Sequence, residues 1–168
     1  MLPSDVDETL DAGPLVEAVV RLALRKARAV AAGLSDGVVL GADTVVVVDG
    51  QALGKPGDAA DAVAMLCRLR GRWHEVITAI AAVDVATGRE AADAVVTRIR
   101  MAEYTDAEIA AYVATGEPLD KAGAYAIQER GGTLVAAVSG SYTNVVGLPI
   151  DETRRLLESF GALTSESR

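Results

Sequence analysis

One carboxylate, Asp43, stands in the middle of a long run of apolar, mostly branched residues, Val38-Val39-Leu40-Gly41-Ala42-Asp43-Thr44-Val45-Val46-Val47-Val48, which ends in Asp49-Gly50. Such a run reads as a strand covered on both faces and closed by a two-residue hairpin turn. An ionised carboxylate in that setting is costly unless it is paired or holds a metal. Asp43 is therefore either a structural group bonded to backbone or to a basic residue, or part of a site. Other polar residues stand in apolar or glycine-bounded settings: Asp7, Glu8, Lys26 and Lys55, then His74, Asp120, Lys121, Gln128, Ser141 and Asn144. Carboxylates that hold a divalent ion, with lysines that hold phosphate oxygens, fit metal-assisted attack of water on a phosphoanhydride. The chain carries no Walker-type glycine loop and no Gly-x-Ser-x-Gly elbow, and one His with one Cys cannot make a thiol-rich zinc site.

The elements that must position these groups follow from pattern. Pro14 stands at the start of a helix running to about Ala32, with Leu15, Val19 and Leu22 on one stripe and Ala23 and Val30 beside it. One turn further the stripe reaches Lys26, either a lysine snorkelling to the rim or a cation aimed into a cleft; Arg25 and Arg28 point elsewhere. Pro56 biases Lys55 toward extended backbone in the loop Gly54-Lys55-Pro56-Gly57. Asp58 caps a helix with Ala62, Met65, Leu66 and Leu69 inward, ending near Gly71. Two strands, about 75–83 and 92–101, flank a turn at Thr87-Gly88; the second alternates Val95, Thr97, Ile99 and Met101 against Val96, Arg98 and Arg100. Thr105-Asp106-Ala107-Glu108 is a capping box opening a helix with Ile109, Tyr112 and Val113 inward, stopped by Gly116 and Pro118. After a glycine-rich stretch whose clearest apolar run is 133–138, Pro149 opens a last helix with Ile150, Thr153, Leu156, Leu157 and Phe160 inward. The sum is an α/β chain.

At 168 residues one domain is expected. No stretch of eighteen apolar residues predicts a membrane span, and no basic, apolar leader opens the sequence. The net charge of −8 argues against a broad nucleic-acid footprint, while leaving room for a polyanionic small substrate on a local lysine cluster. The single cysteine, Cys67, excludes an internal disulfide, fits a reducing cytoplasm, and reads as helix filler rather than a nucleophile. His74 reads as a hydrogen-bonded packing residue, and Ser141 and Asn144 as loop-fixing residues. Asp120 and Lys121 fit either an ion pair between lobes or a ligand contact.

Seven ordered blocks then carry a resemblance: Ser4-Asp5-Val6-Asp7-Glu8, Leu22-Ala23-Leu24-Arg25-Lys26-Ala27, Gly41-Ala42-Asp43-Thr44-Val45-Val46, Gly54-Lys55-Pro56, Gly71-Arg72-Trp73-His74-Glu75-Val76-Ile77-Thr78, Asp120-Lys121-Ala122-Gly123-Ala124-Tyr125, and the stretch from Ser141 through Asn144 to Pro149. Together they resemble the Maf family of nucleoside triphosphate pyrophosphatases, across nearly the whole chain. The resemblance implies an inosine-triphosphatase-like mixed sheet with two lobes around a nucleotide cleft, as one Maf-like domain over 1–163 with a flexible tail at 164–168. It implies release of pyrophosphate from a nucleoside triphosphate, with a divalent cation, Mg²⁺ or Mn²⁺. By the family pattern Asp43 is the general base or metal-bound acid that prepares the water, Glu8 shares the metal, and Lys26 and Lys55 meet the phosphates. Thr44 and Gln128 occupy the base-discriminating positions. Ala126-Ile127-Gln128 matches the branch that favours dTTP and UTP; the branch acting on 7-methyl-GTP carries Ser-Glu in place of Ile127-Gln128. A Gln amide offers donor and acceptor to the imide edge of thymine or uracil. The resemblance further implies a homodimer, and an association with septum inhibition in cell division.

The family begins with a strand, a Ser-x-Ser-Pro-Arg-Arg loop and a helix, and here Met1 stands just after the place where that segment would end. The expectation is therefore either a longer protein from an upstream start, or a truncated, catalytically weak nucleotide-binding form.

Overall fold

The computed structural model describes residues 6–163. The predicted tail at 164–168, and Ser4 and Asp5 of the first motif, lie outside them. Among the described residues these helices and strands follow one another: α1 Leu15–Ala31, β1 Val38–Val48, β2 Gln51–Leu53, α2 Ala59–Leu69, β3 Trp73–Asp84, β4 Glu90–Met101, α3 Asp106–Val113, β5 Val135–Ser139, α4 Tyr142–Val146 and α5 Ile150–Ser159. The α/β class is as expected. The strands form one sheet in the order β2-β1-β3-β4-β5. The described residues divide into two compact units, one of residues 6–43, 78–95 and 147–163, the other of 44–77 and 96–146. β1, β3 and β4 each contribute residues to both.

In the first unit, α1 lies on β1. The helix buries Ala18, Val19, Leu22, Ala23, Ala27 and Ala31, so its inner stripe is more alanine-rich than the apolar pattern predicts, and Leu15 and Val30 are only half-buried. The strand explains this. A Cβ on Gly41 would stand 2.6 Å from the carbonyl oxygen of Ala23 and 3.0 Å from the Cβ of Ala27. Helix and strand thus meet backbone to backbone, and only small side chains fit between them. Pro14 takes the N-cap position with φ −57°, one place earlier than predicted. A second apolar cluster gathers Ile80, Ala82 and Leu156 with Leu40, Leu148 and Phe160 around them. Ile150, predicted inward, is 45 % exposed at the first turn of α5, where the buried stripe is carried by Thr153 and Leu156 instead.

The second unit's core is built from Val46 and Val48, Leu66 and Leu69, Ile99 and Met101, Ile109 and Tyr125 among others. β1 turns into β2 at Asp49 (φ 53°) and Gly50 (φ 72°), with Val48 opposite Gln51, as the Asp-Gly signal requires. β4 buries Thr97, Ile99 and Met101 and leaves Val96, Arg98 and Arg100 outside. It pairs antiparallel with β5, with an irregularity between Arg100 and Met101. The capping box of α3 is complete: Thr105 accepts from the Glu108 amide, and the Glu108 carboxylate accepts from the Thr105 amide. Asp58 caps α2 through the Asp61 amide at 2.8 Å. Between α3 and β5 the glycine-rich stretch forms three short 3-10 turns, at Glu117–Asp120, Ala122–Ala124 and Arg130–Leu134. α4 has no counterpart in the sequence reading; its five residues fall short of a periodic signal.

Candidate active site

The first unit brings Glu8, Lys26 and Asp43 together. Lys26 comes from the rim of α1 and Asp43 from the middle of β1, which the glycine contact at Gly41 holds against the helix two residues earlier. The Lys26 ammonium donates to Asp43 Oδ1 at 2.6 Å and to Glu8 Oε1 at 2.7 Å. The two inner side chains are largely covered, Lys26 at 16 % and Asp43 at 13 % exposure, while Glu8 is open at 58 %. Burial by itself would lower the Lys26 pKa. The hydrogen bonds to Asp43 and then Glu8, with the attraction of both charges, outweigh it and hold the ammonium above its ordinary range. The inward lysine is thus a fixed cation, and the carboxylate in the apolar strand is a paired one.

Glu8 stands on a segment without regular structure, and Arg25 ties that segment down. Its guanidinium donates to the carbonyls of Asp7 at 3.3 Å and Thr9 at 2.8 Å, on either side of Glu8, and pairs with Asp11 at 2.9 Å. Arg21 also binds Asp11, at 3.0 Å, and this bond first, with Arg25 behind it, holds the Asp11 carboxyl below the usual carboxylate range. Asp7 is turned to its own segment, accepting from the amide and hydroxyl of Thr9. Sequence reasoning passed over Arg25; the signal available was its place beside Lys26, which does not say what a guanidinium off the inner stripe would hold. Arg28 binds Glu90.

The second unit carries Thr44, Lys55 and Gln128. Thr44 follows Asp43 along β1 and is half-buried. Lys55 is exposed in a loop fixed at both ends: the Gly54 carbonyl accepts from the Gly123 amide at 3.0 Å, and the Gly57 amide donates to Asp61 at 2.9 Å. Gly123, at φ 68°, lies against Val46, where a Cβ would come within 2.9 Å of both γ-methyls. The Lys55 loop and the stretch leading to Gln128 are thereby joined inside one unit. Gln128 is exposed in the loop before the turn Arg130–Leu134. Beside that loop an open cleft of about 490 Å³ is lined by Thr115, Glu117, Asp120, Lys121, Glu129 and Arg130. Asp120 and Lys121 bond to each other at 3.0 Å.

The remaining polar candidates serve the fold. His74 is 3 % exposed and its Nε2 bonds the Tyr125 hydroxyl at 2.8 Å; burial pushes the imidazole down to about 4. Asn144, fully buried on α4, donates to the Val76 carbonyl at 3.0 Å and to Thr97 Oγ1 at 2.9 Å. Ser141 accepts from the Asn144 amide and donates its own amide to Thr97. Cys67 is exposed on α2 beside Arg70.

Among the described residues no three His, Cys, Asp or Glu side chains stand close enough to enclose a metal ion. Glu8 and Asp43 do fit one that takes two carboxylates and completes its shell with water and phosphate oxygens, which is how Mg²⁺ binds. Both carboxylates already close on a single cation, the Lys26 ammonium, so their oxygens are disposed for one positive centre. No helix of the described residues is long and apolar enough to cross a membrane.

In the first unit a lysine is held protonated between two carboxylates; in the second, a lysine stands on a pinned loop and an exposed amide stands beside a polar cleft. The chain is 52 % identical over 160 residues to a dTTP/UTP pyrophosphatase of Moorella thermoacetica, covering 95 % of this chain and 82 % of that one. It is 51 % identical to the dTTP/UTP pyrophosphatase of Symbiobacterium thermophilum, over 94 % and 80 % of the two chains. It is 53 % identical to that of Escherichia coli O157:H7, over 86 % and 73 %. The family model described as Maf-like protein matches residues 1–160, which takes in every candidate residue above, and the chain belongs to that family.

Proposed function

We propose that the protein is a nucleoside triphosphate pyrophosphatase that hydrolyses dTTP and UTP to the monophosphate and pyrophosphate. The observation that carries the proposal is the Glu8–Lys26–Asp43 cluster, with both carboxylates within 2.7 Å of one ammonium; the names of the relatives support the choice of substrate. Water attacks the α-phosphorus, the bond to the β-phosphate oxygen breaks, and pyrophosphate leaves. Asp43 takes the proton of that water on its carboxylate. Lys26, kept protonated by its two carboxylates, orients Asp43 and offers positive charge to the phosphates, and Lys55 offers a second cation from its fixed loop. A divalent ion, Mg²⁺ or Mn²⁺, held by Glu8 and Asp43 would spread the charge that develops on the phosphates. Thr44 and Gln128 read the base, the Gln amide pairing with the imide edge of thymine or uracil. The lone cysteine as a free thiol fits a cytoplasmic setting, and a homodimer is part of the same reading.

The test is pyrophosphate release from the four common deoxynucleoside triphosphates and UTP, with and without Mg²⁺. We expect turnover of dTTP and UTP that stops in excess chelator. Turnover that is unchanged in chelator would falsify the metal assignment, and equal turnover of dCTP and dTTP would remove the base assignment.

A further inference from the structure

The loop that carries Gln128 is closed by a clamp that lies elsewhere in the sequence. Glu117, half-buried in the turn after α3, accepts from the amide of Gly131 at 3.0 Å and from that of Arg130 at 3.3 Å. The same carboxylate accepts from the hydroxyl of Tyr112 at 2.8 Å. Tyr112 is buried on α3, and having given its proton to Glu117 its oxygen accepts from the amide of Ala126 at 3.3 Å. One phenol–carboxylate pair therefore grips the backbone at both ends of 126–131, with Ile127, Gln128 and Glu129 held between. Two glycines let the loop close this tightly. A Cβ on Gly131 would stand 2.5 Å from the Tyr112 hydroxyl and 2.7 Å from the Ala126 carbonyl, and one on Gly132 would stand 2.4 Å from the Ile127 carbonyl. Thr115 secures Glu117 in turn, accepting from its amide at 3.2 Å while donating to the Tyr112 carbonyl at 2.6 Å.

We propose that Tyr112 and Glu117 are positioning residues for base selection, fixing the backbone from which Gln128 meets the nucleotide base. The inference rests on Gln128 reading the base, as proposed above. An exposed glutamine on a free loop would visit many positions and pair with any base edge. A glutamine whose backbone is held on both sides presents donor and acceptor in one arrangement, which is what discrimination between an imide edge and a cytosine edge needs.

The experiment is calorimetric binding of non-hydrolysable α,β-imido dTTP and α,β-imido dCTP, with Mg²⁺, to the wild-type chain and to Tyr112→Phe, Glu117→Gln and Gln128→Ala, each with its melting temperature and the hydrogen exchange of the 126–131 amides. Tyr112→Phe removes one oxygen and keeps the buried ring, so it provides a folded variant if Glu117→Gln does not. We expect faster exchange at Ala126, Arg130 and Gly131 in the clamp variants, and a dTTP:dCTP affinity ratio reduced about tenfold, the scale of one lost hydrogen bond. Tyr112→Phe combined with Gln128→Ala should lose no more discrimination than Gln128→Ala alone. If Gln128→Ala collapses the ratio and the clamp variants only lower the melting temperature, the clamp is structural and the inference falls while the base assignment stands. If Gln128→Ala leaves the ratio intact, the base assignment fails and takes the inference with it.

Discussion

Asp43 and Lys26 answer two questions that each leaves open alone. The carboxylate in an apolar strand needs a partner, and the lysine on an inward stripe needs a reason; each supplies the other, at 2.6 Å. Asp43→Asn separates a purely structural pair from one that also carries the chemistry. Asn is nearly the same size and keeps an oxygen toward Lys26, but it is neither a base nor a strong metal ligand. We expect turnover to fall by at least ~10²-fold with the fold retained. A variant that melts early yet keeps its specific activity would return Asp43 to the core. His74 makes the opposite case, a titratable residue used for packing. Its Nδ1 is buried with no hydrogen-bond partner and burial holds its pKa at about 4. On acidification the unfolded imidazole binds a proton near 6.5, the folded one only near 4. The stability held above pH 6.5 is therefore lost as the pH falls toward 4, by on the order of 3 kcal/mol. His74→Phe should flatten that stretch of the stability profile; if both proteins lose equal stability between pH 6.5 and 5, the loss belongs to other groups.

Elements decide how well the site could be foreseen. Where a signal is local, it held: the Asp49-Gly50 turn, the Asp58 cap, the Thr105–Glu108 box and the alternation of β4 each involve residues a few positions apart, whose backbone geometry dictates residue type. What escaped was set by contacts between distant segments. The alanine face of α1 answers to Gly41, more than ten residues away, and the Tyr112–Glu117 grip answers to amides at 126–131. No periodicity encodes either. Arg25 escaped for the same reason, since two of its targets, at Asp7 and Thr9, are carbonyls, which every residue has. The helix–strand contact gives a prediction at this scale. Gly41→Ala would place a methyl 2.6 Å from the Ala23 carbonyl, forcing α1 away from β1. Overpacking of this kind costs roughly 1–3 kcal/mol, so the melting temperature should fall by several degrees. Activity should fall further than stability, because Lys26 and Asp43 ride on the two displaced elements. Retained activity at temperatures where the variant is folded would mean that the ion pair tolerates the shift.

For the molecule as a whole the balance of charge sets the problem. An acidic chain of net charge −8 must take up a tetra-anionic ligand, and the long-range field opposes it. The charge that attracts the nucleotide has to be local, and the proposed function assigns it to Lys26 and Lys55, together with the divalent ion proposed between Glu8 and Asp43. In that proposal, two carboxylates beside the phosphates would repel them without the ion. Nucleotide and metal should therefore stabilise the folded chain jointly. At a hundredfold excess over the dissociation constant, a ligand that binds only the folded state adds about 2.7 kcal/mol, or roughly 5–10 °C in melting temperature for a chain of this size. We expect that shift from α,β-imido dTTP with Mg²⁺, a smaller one from α,β-imido dCTP, and little from either nucleotide in chelator. Differential scanning fluorimetry reads all three without requiring turnover. An equal shift in chelator would show that the lysines alone carry the phosphates, and that Glu8 and Asp43 need no ion between them and the ligand.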